Sequence, residues 1–211
     1  MDKFPLAASG WRYILSTAFL AAVGSSLGAW WLSGPLWIIT AWMTWFFRDP
    51  SRNVSTPESA LICPADGRVV AVEEVDCPEL PGGRALLVSV FMNIFDVHVN
   101  RAPISGGVVW SAHRAGAFHP ADQARVCRQN ERQEVLLRRG DGALVLVVQV
   151  AGLVARRIEC WLTPGEMVRR GQRFGMIRFG SRVDLYLPLQ ARVVVEPGQK
   201  VRAGITVMGE I

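Results

Sequence analysis

Gly180-Ser181 stands near the C-terminus, inside Arg178-Phe179-Gly180-Ser181-Arg182-Val183-Asp184. A serine that attacks the carbonyl carbon of its own preceding residue forms an ester by an N-to-O acyl shift. Elimination from that ester leaves a dehydroalanine, which hydrolyses to ammonia and a pyruvoyl group. The product is a ketone at a new N-terminus, able to condense with an amine. Glycine suits the position before such a serine, because it has no side chain to obstruct the attack or resist a strained backbone. The hydroxyl needs a base within reach to become a nucleophile. Taken alone, a Gly-Ser pair is more often a plain turn.

A second run concentrates polar chemistry between apolar flanks: Phe91-Met92-Asn93-Ile94-Phe95-Asp96-Val97-His98-Val99-Asn100-Arg101-Ala102-Pro103-Ile104-Ser105-Gly106. On a strand, Asp96, His98 and Asn100 share one face, because side chains alternate with a period of two. Imidazole is the natural proton carrier near neutral pH. The same cluster also reads as a polar strand end. Pro64-Ala65-Asp66-Gly67 adds a carboxylate, although Asp-Gly is a common turn. His113, Arg114, His119, Asn130 and Glu131 form a looser polar set.

These residues need a framework, and beyond Pro57 the chain reads as β. Short segments rich in Val, Ile and Leu cover Arg68 to Val75, Ala85 to Phe91, Gly107 to Trp110, Glu134 to Arg138 and Ala143 to Val150. Others cover Arg156 to Leu162, Arg182 to Leu187 and Ala191 to Val195. Gly, Pro and Asp separate them, the pattern of an all-β sandwich or barrel. The spacing allows one short helix over Asp122 to Gln133. Pro164-Gly165-Glu166-Met167-Val168-Arg169-Arg170-Gly171 is echoed by Pro197-Gly198-Gln199-Lys200-Val201-Arg202-Ala203-Gly204. Each is followed by an apolar strand, as in the tight hammerhead-type hairpins of biotinyl and lipoyl carrier domains.

The first fifty residues differ, being rich in Trp, Leu, Ala and Phe and nearly uncharged. Tyr13 to Ser33 is long enough to cross a bilayer, which needs roughly 20 apolar residues. Gly34 to Phe47 is shorter, and Gly34-Pro35 is expected to break the helix between them. Trp30, Trp31, Trp37, Trp42 and Trp45 suit a headgroup interface. Lys3 and Arg12 precede the pair and Arg48 and Arg52 follow it, which favours both ends in the cytoplasm. The expectation is a helical hairpin over residues 1–50 that dips into the membrane, followed by one domain over 51–211.

The chain has 211 residues, a net charge of +5 and a sequence pI near 9.5. That balance suits an anionic partner, and beside a membrane-seeking segment lipid ranks first. Nucleic acid is not expected, because the aromatic residues gather in the hydrophobic segment rather than on a stacking surface. Cys63, Cys77, Cys127 and Cys160 form no C-x-x-C pair, so no zinc site is expected and reduced thiols are.

In order along the chain, these pieces resemble the short branch of the phosphatidylserine decarboxylase family. The matching pieces are Phe46-Phe47-Arg48-Asp49-Pro50, Pro64-Ala65-Asp66-Gly67 and Phe95-Asp96-Val97-His98-Val99-Asn100-Arg101-Ala102-Pro103. After them come Gly116-Ala117-Phe118, Asn130-Glu131-Arg132 and Gly180-Ser181. The resemblance implies a proenzyme cut between Gly180 and Ser181 into a β subunit of residues 1–180 and an α subunit of 181–211. Ser181 becomes the covalent pyruvoyl cofactor, whose ketone forms a Schiff base with phosphatidylserine and releases carbon dioxide and phosphatidylethanolamine. By position, His98 matches the histidine of the decarboxylation step and Asp66 the aspartate of self-processing. The long branch carries a second histidine where this chain has Arg101, so Asp66, His98, His113 and His119 all stand as candidate bases. It also has Leu-Gly-Ser-Thr where this chain has Phe179-Gly180-Ser181-Arg182. Asn100, Arg101 and Arg182 are candidate substrate contacts, Arg182 because guanidinium suits phosphate. The implied partners are phosphatidylserine, anionic membrane lipids and the two subunits of the proenzyme, with a homodimer left open. The implied location is the inner face of the cell membrane, with the catalytic domain in the cytoplasm.

The competing reading is a membrane-anchored carrier or adaptor without catalysis. A carrier displays a lysine at a hairpin tip, but the only lysines are Lys3 and Lys200, and Lys200 lies within a turn repeat. An adaptor needs long coiled-coil hairpins, and no heptad run is present.

Overall fold

The structure, a computed structural model, describes residues 5–119, 129–152, 157–178 and 181–211. The chain divides into two compact units, one ending at Ser51 and the other starting at Arg52.

The first unit is a helical pair, α1 (Trp11–Ser26) and α2 (Trp30–Phe46). The reversal falls at residues 27–29, not at Gly34-Pro35. Gly28 adopts φ +72°, a left-handed backbone that glycine takes without strain, and it ends α1 before Pro35 is reached. Pro35 then lies inside α2. There it removes one backbone donor without ending the helix. Small and hydroxyl residues let the helices approach. A Cβ built on Gly24 would stand 3.3 Å from that of Ser33. The Thr40 hydroxyl donates to the Thr17 hydroxyl at 3.1 Å. The break at Gly28 cuts the expected 13–33 crossing short. No helix among the described residues is long and apolar enough to cross a membrane. The outer faces remain apolar, with Phe19, Leu27, Trp30, Trp31, Ile38 and Trp45 exposed.

The second unit is β. Its strands are β1 (Ala60–Ile62), β2 (Gly67–Asp76), β3 (Arg84–Met92), β4 (Val99–Arg101), β5 (Gly106–Arg114), β6 (Arg132–Arg138) and β7 (Leu144–Ala151). Then come β8 (Ile158–Cys160), β9 (Met167–Val168), β10 (Arg173–Ile177), β11 (Ser181–Leu187), β12 (Arg192–Val193), β13 (Lys200–Val201) and β14 (Val207–Glu210). Eight strands form a half-barrel sheet in the order β13-β2-β3-β11-β7-β6-β5-β9. Two smaller sheets, β1-β14-β12 and β4-β10-β8, complete the unit. Of the helix expected over Asp122 to Gln133, residues 122–128 lie outside the described residues, and Arg132 and Gln133 open β6 instead.

Alternation sorts the side chains of the large sheet into two layers. Val145 and Val147 of β7 and Val183, Leu185 and Leu187 of β11 join the main core with residues of the small sheets, such as Leu61, Phe174 and Met208. Leu146, Val148 and Val150 point the other way into a second cluster with Cys77 and Leu80. A fully buried side chain of this kind is worth about 1.5–3 kcal/mol, so the two layers fix the strand register.

The two turn repeats are built alike. The Gly171 and Gly204 amides donate to the Ala102 and Cys63 carbonyls, both at 2.8 Å. The Gly165 and Gly198 amides donate to the Val108 and Val69 carbonyls, again both at 2.8 Å. Pro103-Ile104-Ser105-Gly106 thus meets the first repeat as Pro64-Ala65-Asp66-Gly67 meets the second. The match reaches the side chains: Ser105 Oγ accepts the Arg170 amide at 3.0 Å, and Asp66 Oδ1 accepts the Ala203 amide at 2.8 Å. Gly204 sits at φ +72°, and a Cβ there would press within 3.0 Å of Arg101 Cδ. Gly204→Ala is therefore expected to lose at least about 1–2 kcal/mol in urea denaturation, from left-handed strain alone. An unchanged midpoint would show that the turn relaxes freely.

Candidate active site

Ser181 opens β11 in the middle of the large sheet. Its backbone pairs with Met92 of β3 on one side and Ala151 of β7 on the other. Gly180 and Phe179 lie outside the described residues. Phe91 pairs with both Arg68 and Arg182. That register sets Gly67 and Ser181 on either side of Met92. Gly67 packs directly on the Phe91–Met92 backbone, where a Cβ would overlap the Phe91 carbonyl. The Pro64–Gly67 motif, the end of β3 and the start of β11 are thus neighbours.

The polar run after Met92 turns at 93–96 and then pairs with β10. The Ile177 amide donates to the His98 carbonyl at 3.4 Å. Met92 therefore pairs with Ser181, and His98 with Ile177, four residues earlier in the chain. His98 is fully buried. Its Nδ1 lies 2.9 Å from the Asp96 carbonyl oxygen. A carbonyl only accepts, so Nδ1 carries the hydrogen and Nε2 carries the lone pair. In the neutral ring, Nε2 is thus the atom able to accept a proton.

Asp96 does not share a strand face with His98 and Asn100. The chain turns at 93–96, and the Asp96 carboxylate accepts the Asn93 amide at 2.9 Å instead. β4 begins only at Val99, and Asp96 meets His98 through its carbonyl oxygen. Asn100 is fully buried beside Gln149, whose Nε2 donates to Asn100 Oδ1 at 2.8 Å. Gln149 lies two residues before Ala151 on β7, and its Oε1 is buried with no hydrogen-bond partner among the described residues. Nothing in the sequence marks Gln149 except a polar residue in the run Leu144–Ala151.

Asp66 is clamped. Arg52 Nη1 and Nη2 meet its two carboxylate oxygens at 2.5 and 2.7 Å, a planar fork on a planar carboxylate. Nη1 also donates to the Ala203 carbonyl at 2.5 Å. The clamp ties the Asp66 turn to the second repeat. Arg101 does similar work, with its amide on the Pro64 carbonyl at 2.9 Å and Nη1 on the Gly171 carbonyl at 3.1 Å. Cys63 beside this turn is no nucleophile, because burial pushes its thiol up to about 12.

Arg182 points into the second layer with Asp184 and Tyr186. Its Nε and Nη2 reach the Asp184 carboxylate at 2.5 and 3.0 Å, with both side chains buried. The pair lines a cavity of about 500 Å³ whose wall also holds Glu134, Arg132 and Leu87. Arg182 therefore stands across the sheet from Gln149 and the Asn100 it binds. Of the looser set, Asn130 reaches the site's edge. Its Nδ2 donates to the carbonyls of Ala151 and His119, both at 2.9 Å, which ties the loop at 119 to the strand beside Ser181. His113 is exposed, 3.8 Å from the Glu131 carboxylate.

Removing one partner of a buried ion pair leaves an uncompensated charge. Arg52→Ala is expected to cost about 3–5 kcal/mol in chemical denaturation, with Arg52→Lys in between. Wild-type stability in Arg52→Ala would show that the clamp does not hold the Asp66 turn.

The sequence model described as phosphatidylserine decarboxylase matches residues 39–209. A phosphatidylserine decarboxylase proenzyme of Ralstonia pickettii is 47% identical over 206 residues, covering 98% of this chain and 95% of that protein. Proteins of the same name from Desulfotalea psychrophila and Magnetococcus marinus are 45% and 44% identical, each covering at least 99% of this chain and 98% of the relative. With likeness along nearly the whole length, a strand that starts at Ser181 and a buried His98, the chain belongs to the phosphatidylserine decarboxylase family.

Proposed function

We propose that this protein decarboxylates phosphatidylserine to phosphatidylethanolamine, using a pyruvoyl group made from Ser181 by cleavage after Gly180. The observation that supports this reading is the position of Ser181 at the head of a central strand, with buried His98 paired through its carbonyl to Ile177 shortly before it. A cut there fits the fold. The 181–211 piece contains β11, β13 and β14, each paired with strands from before the cut, so the two subunits stay woven together. The new N-terminus is held by Met92 and Ala151 on both sides.

A ketone at position 181 supplies an electrophile for the substrate amine and a sink for the electrons left when carbon dioxide departs. The chain's own residues supply the rest. His98, with Nδ1 fixed on the Asp96 carbonyl, carries a proton on Nε2 to or from the reacting carbon. Asn100 and Gln149 form a buried polar pair on the core side of the sheet, and Arg101 and Arg182 brace the two layers of the frame. Asp66, an anion gripped by Arg52 and the Ala203 amide, serves self-processing by fixing Gly67 against the strand next to Ser181. The apolar outer faces of α1 and α2 hold the enzyme at the cytoplasmic face of an anionic membrane, the main chain of the helices shielded by its own hydrogen bonds.

The roles of Ser181 and His98 separate experimentally. His98→Ala is expected to leave a chain cut after Gly180 whose release of carbon dioxide from phosphatidylserine falls by about 10²–10⁴-fold, the range for losing a general acid–base. Cut protein with undiminished turnover would remove His98 from the chemistry.

A further inference from the structure

We infer that the helical pair stands upright in the membrane as a re-entrant hairpin. Both feet rest in one headgroup layer, and the turn at 27–29 lies in the acyl-chain interior without emerging on the far side. This deepens, and rests on, the reading that the protein works at a membrane.

No charged residue stands between Tyr13 and Phe47. A helix that lies in the plane of a membrane surface needs a charged or strongly polar face for the water side. α2 offers no such face. Trp30, Trp31 and Leu32 are consecutive and all exposed, and so are Trp37, Ile38 and Ile39. Three consecutive helical residues sweep about 200° around the axis. The remaining side packs on α1 through Ser33 and Thr40. α1 adds exposed Leu15, Phe19, Val23 and Leu27 on its outer side. A hairpin apolar on every outward side suits apolar surroundings rather than a boundary with water.

The polar atoms are arranged for a place without water, where each unpaired backbone group is costly. In the turn, the Leu27 and Gly28 amides donate to the Val23 and Ser25 carbonyls, both at 3.1 Å. The Ala29 amide donates to the Gly24 carbonyl at 2.9 Å, and the Trp30 amide to the Gly28 carbonyl at 3.0 Å. The hydroxyls of Ser16, Thr17, Ser25, Ser26, Thr40 and Thr44 each donate to a carbonyl three or four residues back. Trp37 Nε1 donates to Ser25 Oγ at 3.3 Å. The Ser33 hydroxyl, with no partner among the described residues, is buried against Gly24 between the helices.

Length sets the depth. α1 has 16 residues and α2 has 17. At the α-helical rise they are about 24 and 25 Å long. A hydrocarbon core is about 30 Å thick, so the pair passes through one leaflet and stops short of the far headgroups. The feet carry interface chemistry. The Arg12 guanidinium lies 4.8 Å from the Tyr13 ring centre, and that of Arg48 lies 4.3 Å from the Trp45 ring centre. The Ala7 amide donates to the Phe47 carbonyl at 2.8 Å, and the Asp49 amide to the Pro5 carbonyl at 2.7 Å. These bonds hold the two feet side by side, so both belong to the same headgroup layer.

The test reads depth. Leu27 is 78% exposed, so Leu27→Cys carries a nitroxide without disturbing the helix contact. The full-length variant is bound to vesicles of phosphatidylcholine and phosphatidylglycerol, and wild type taken through the same labelling corrects for the native thiols. The label is expected to collide freely with dissolved oxygen. Its collisions with a polar nickel chelate are expected to be at least about tenfold rarer than for a label on Val194→Cys in the second unit, because the chelate is excluded from hydrocarbon. A nickel-accessible label on vesicle-bound protein would put the turn at a headgroup layer, near or far, and overturn the inference while leaving the membrane reading intact. The difference in fluorescence quenching between wild type and Trp30→Phe/Trp31→Phe checks the depth without a label. Lipids brominated at the acyl-chain ends are expected to account for it, and quenching mainly by bromines beside the headgroup would also overturn the inference. Wild-type protein that does not sediment with the vesicles would remove the membrane reading itself, and the inference with it.

Discussion

Everything at this site depends on the pairing of one strand. β11 begins at Ser181 and is hydrogen-bonded on both sides, to β3 and β7. An edge strand cut at its first residue could peel away, whereas a central strand is held by two ladders. The main core reinforces this through Val183, Leu185 and Leu187, all fully buried. A backbone break at the head of such a strand creates a chain end with a fixed address. A group formed there under the proposed cleavage would inherit that position without further ordering, and preorganisation of this kind makes a reactive end useful.

The polar residues around the strand divide by what they hold. His98 and Asn100 look inward from the β4 side, while Asp66 and Arg101 tie together the turns that support it. The near-symmetry of the two repeats makes the division clear. Ser105 and Asp66 accept equivalent amides, yet only Asp66 also binds a guanidinium. A neutral hydroxyl suffices for the turn, so the carboxylate at position 66 does something more. Its charge fastens Arg52, the first residue of the catalytic unit, to the turn beside the reactive strand. Arg101, where a related branch carries histidine, is spent on the Gly171 carbonyl.

Much of the fold was legible in the sequence because two layers of Val, Ile and Leu must alternate along each strand. Val145, Leu146, Val147 and Val148 declare a strand buried on both faces as plainly as any pattern can. The repeated turns were legible through their glycines. What failed was local competition. Pro35 reads as a helix breaker, but Gly28 reversed the chain first. Asp96 reads as a strand neighbour of His98, but an Asn93–Asp96 turn captured its carboxylate. Gln149 and the Arg52 clamp carried no signal, because partners far apart in the chain define them. Arg182 was visible as a cation, and alternation with Val183, Leu185 and Leu187 sets it on the other face with Asp184, but its burial there depends on the second layer formed by distant residues such as Cys77 and Leu80.

The most direct test of the central claim is the intact mass of the purified protein beside Ser181→Ala. The account predicts two fragments in the wild type, split after Gly180, the smaller beginning with a pyruvoyl mass in place of serine, and one uncut chain in the variant. A single uncut wild-type chain, folded and stable, would contradict it.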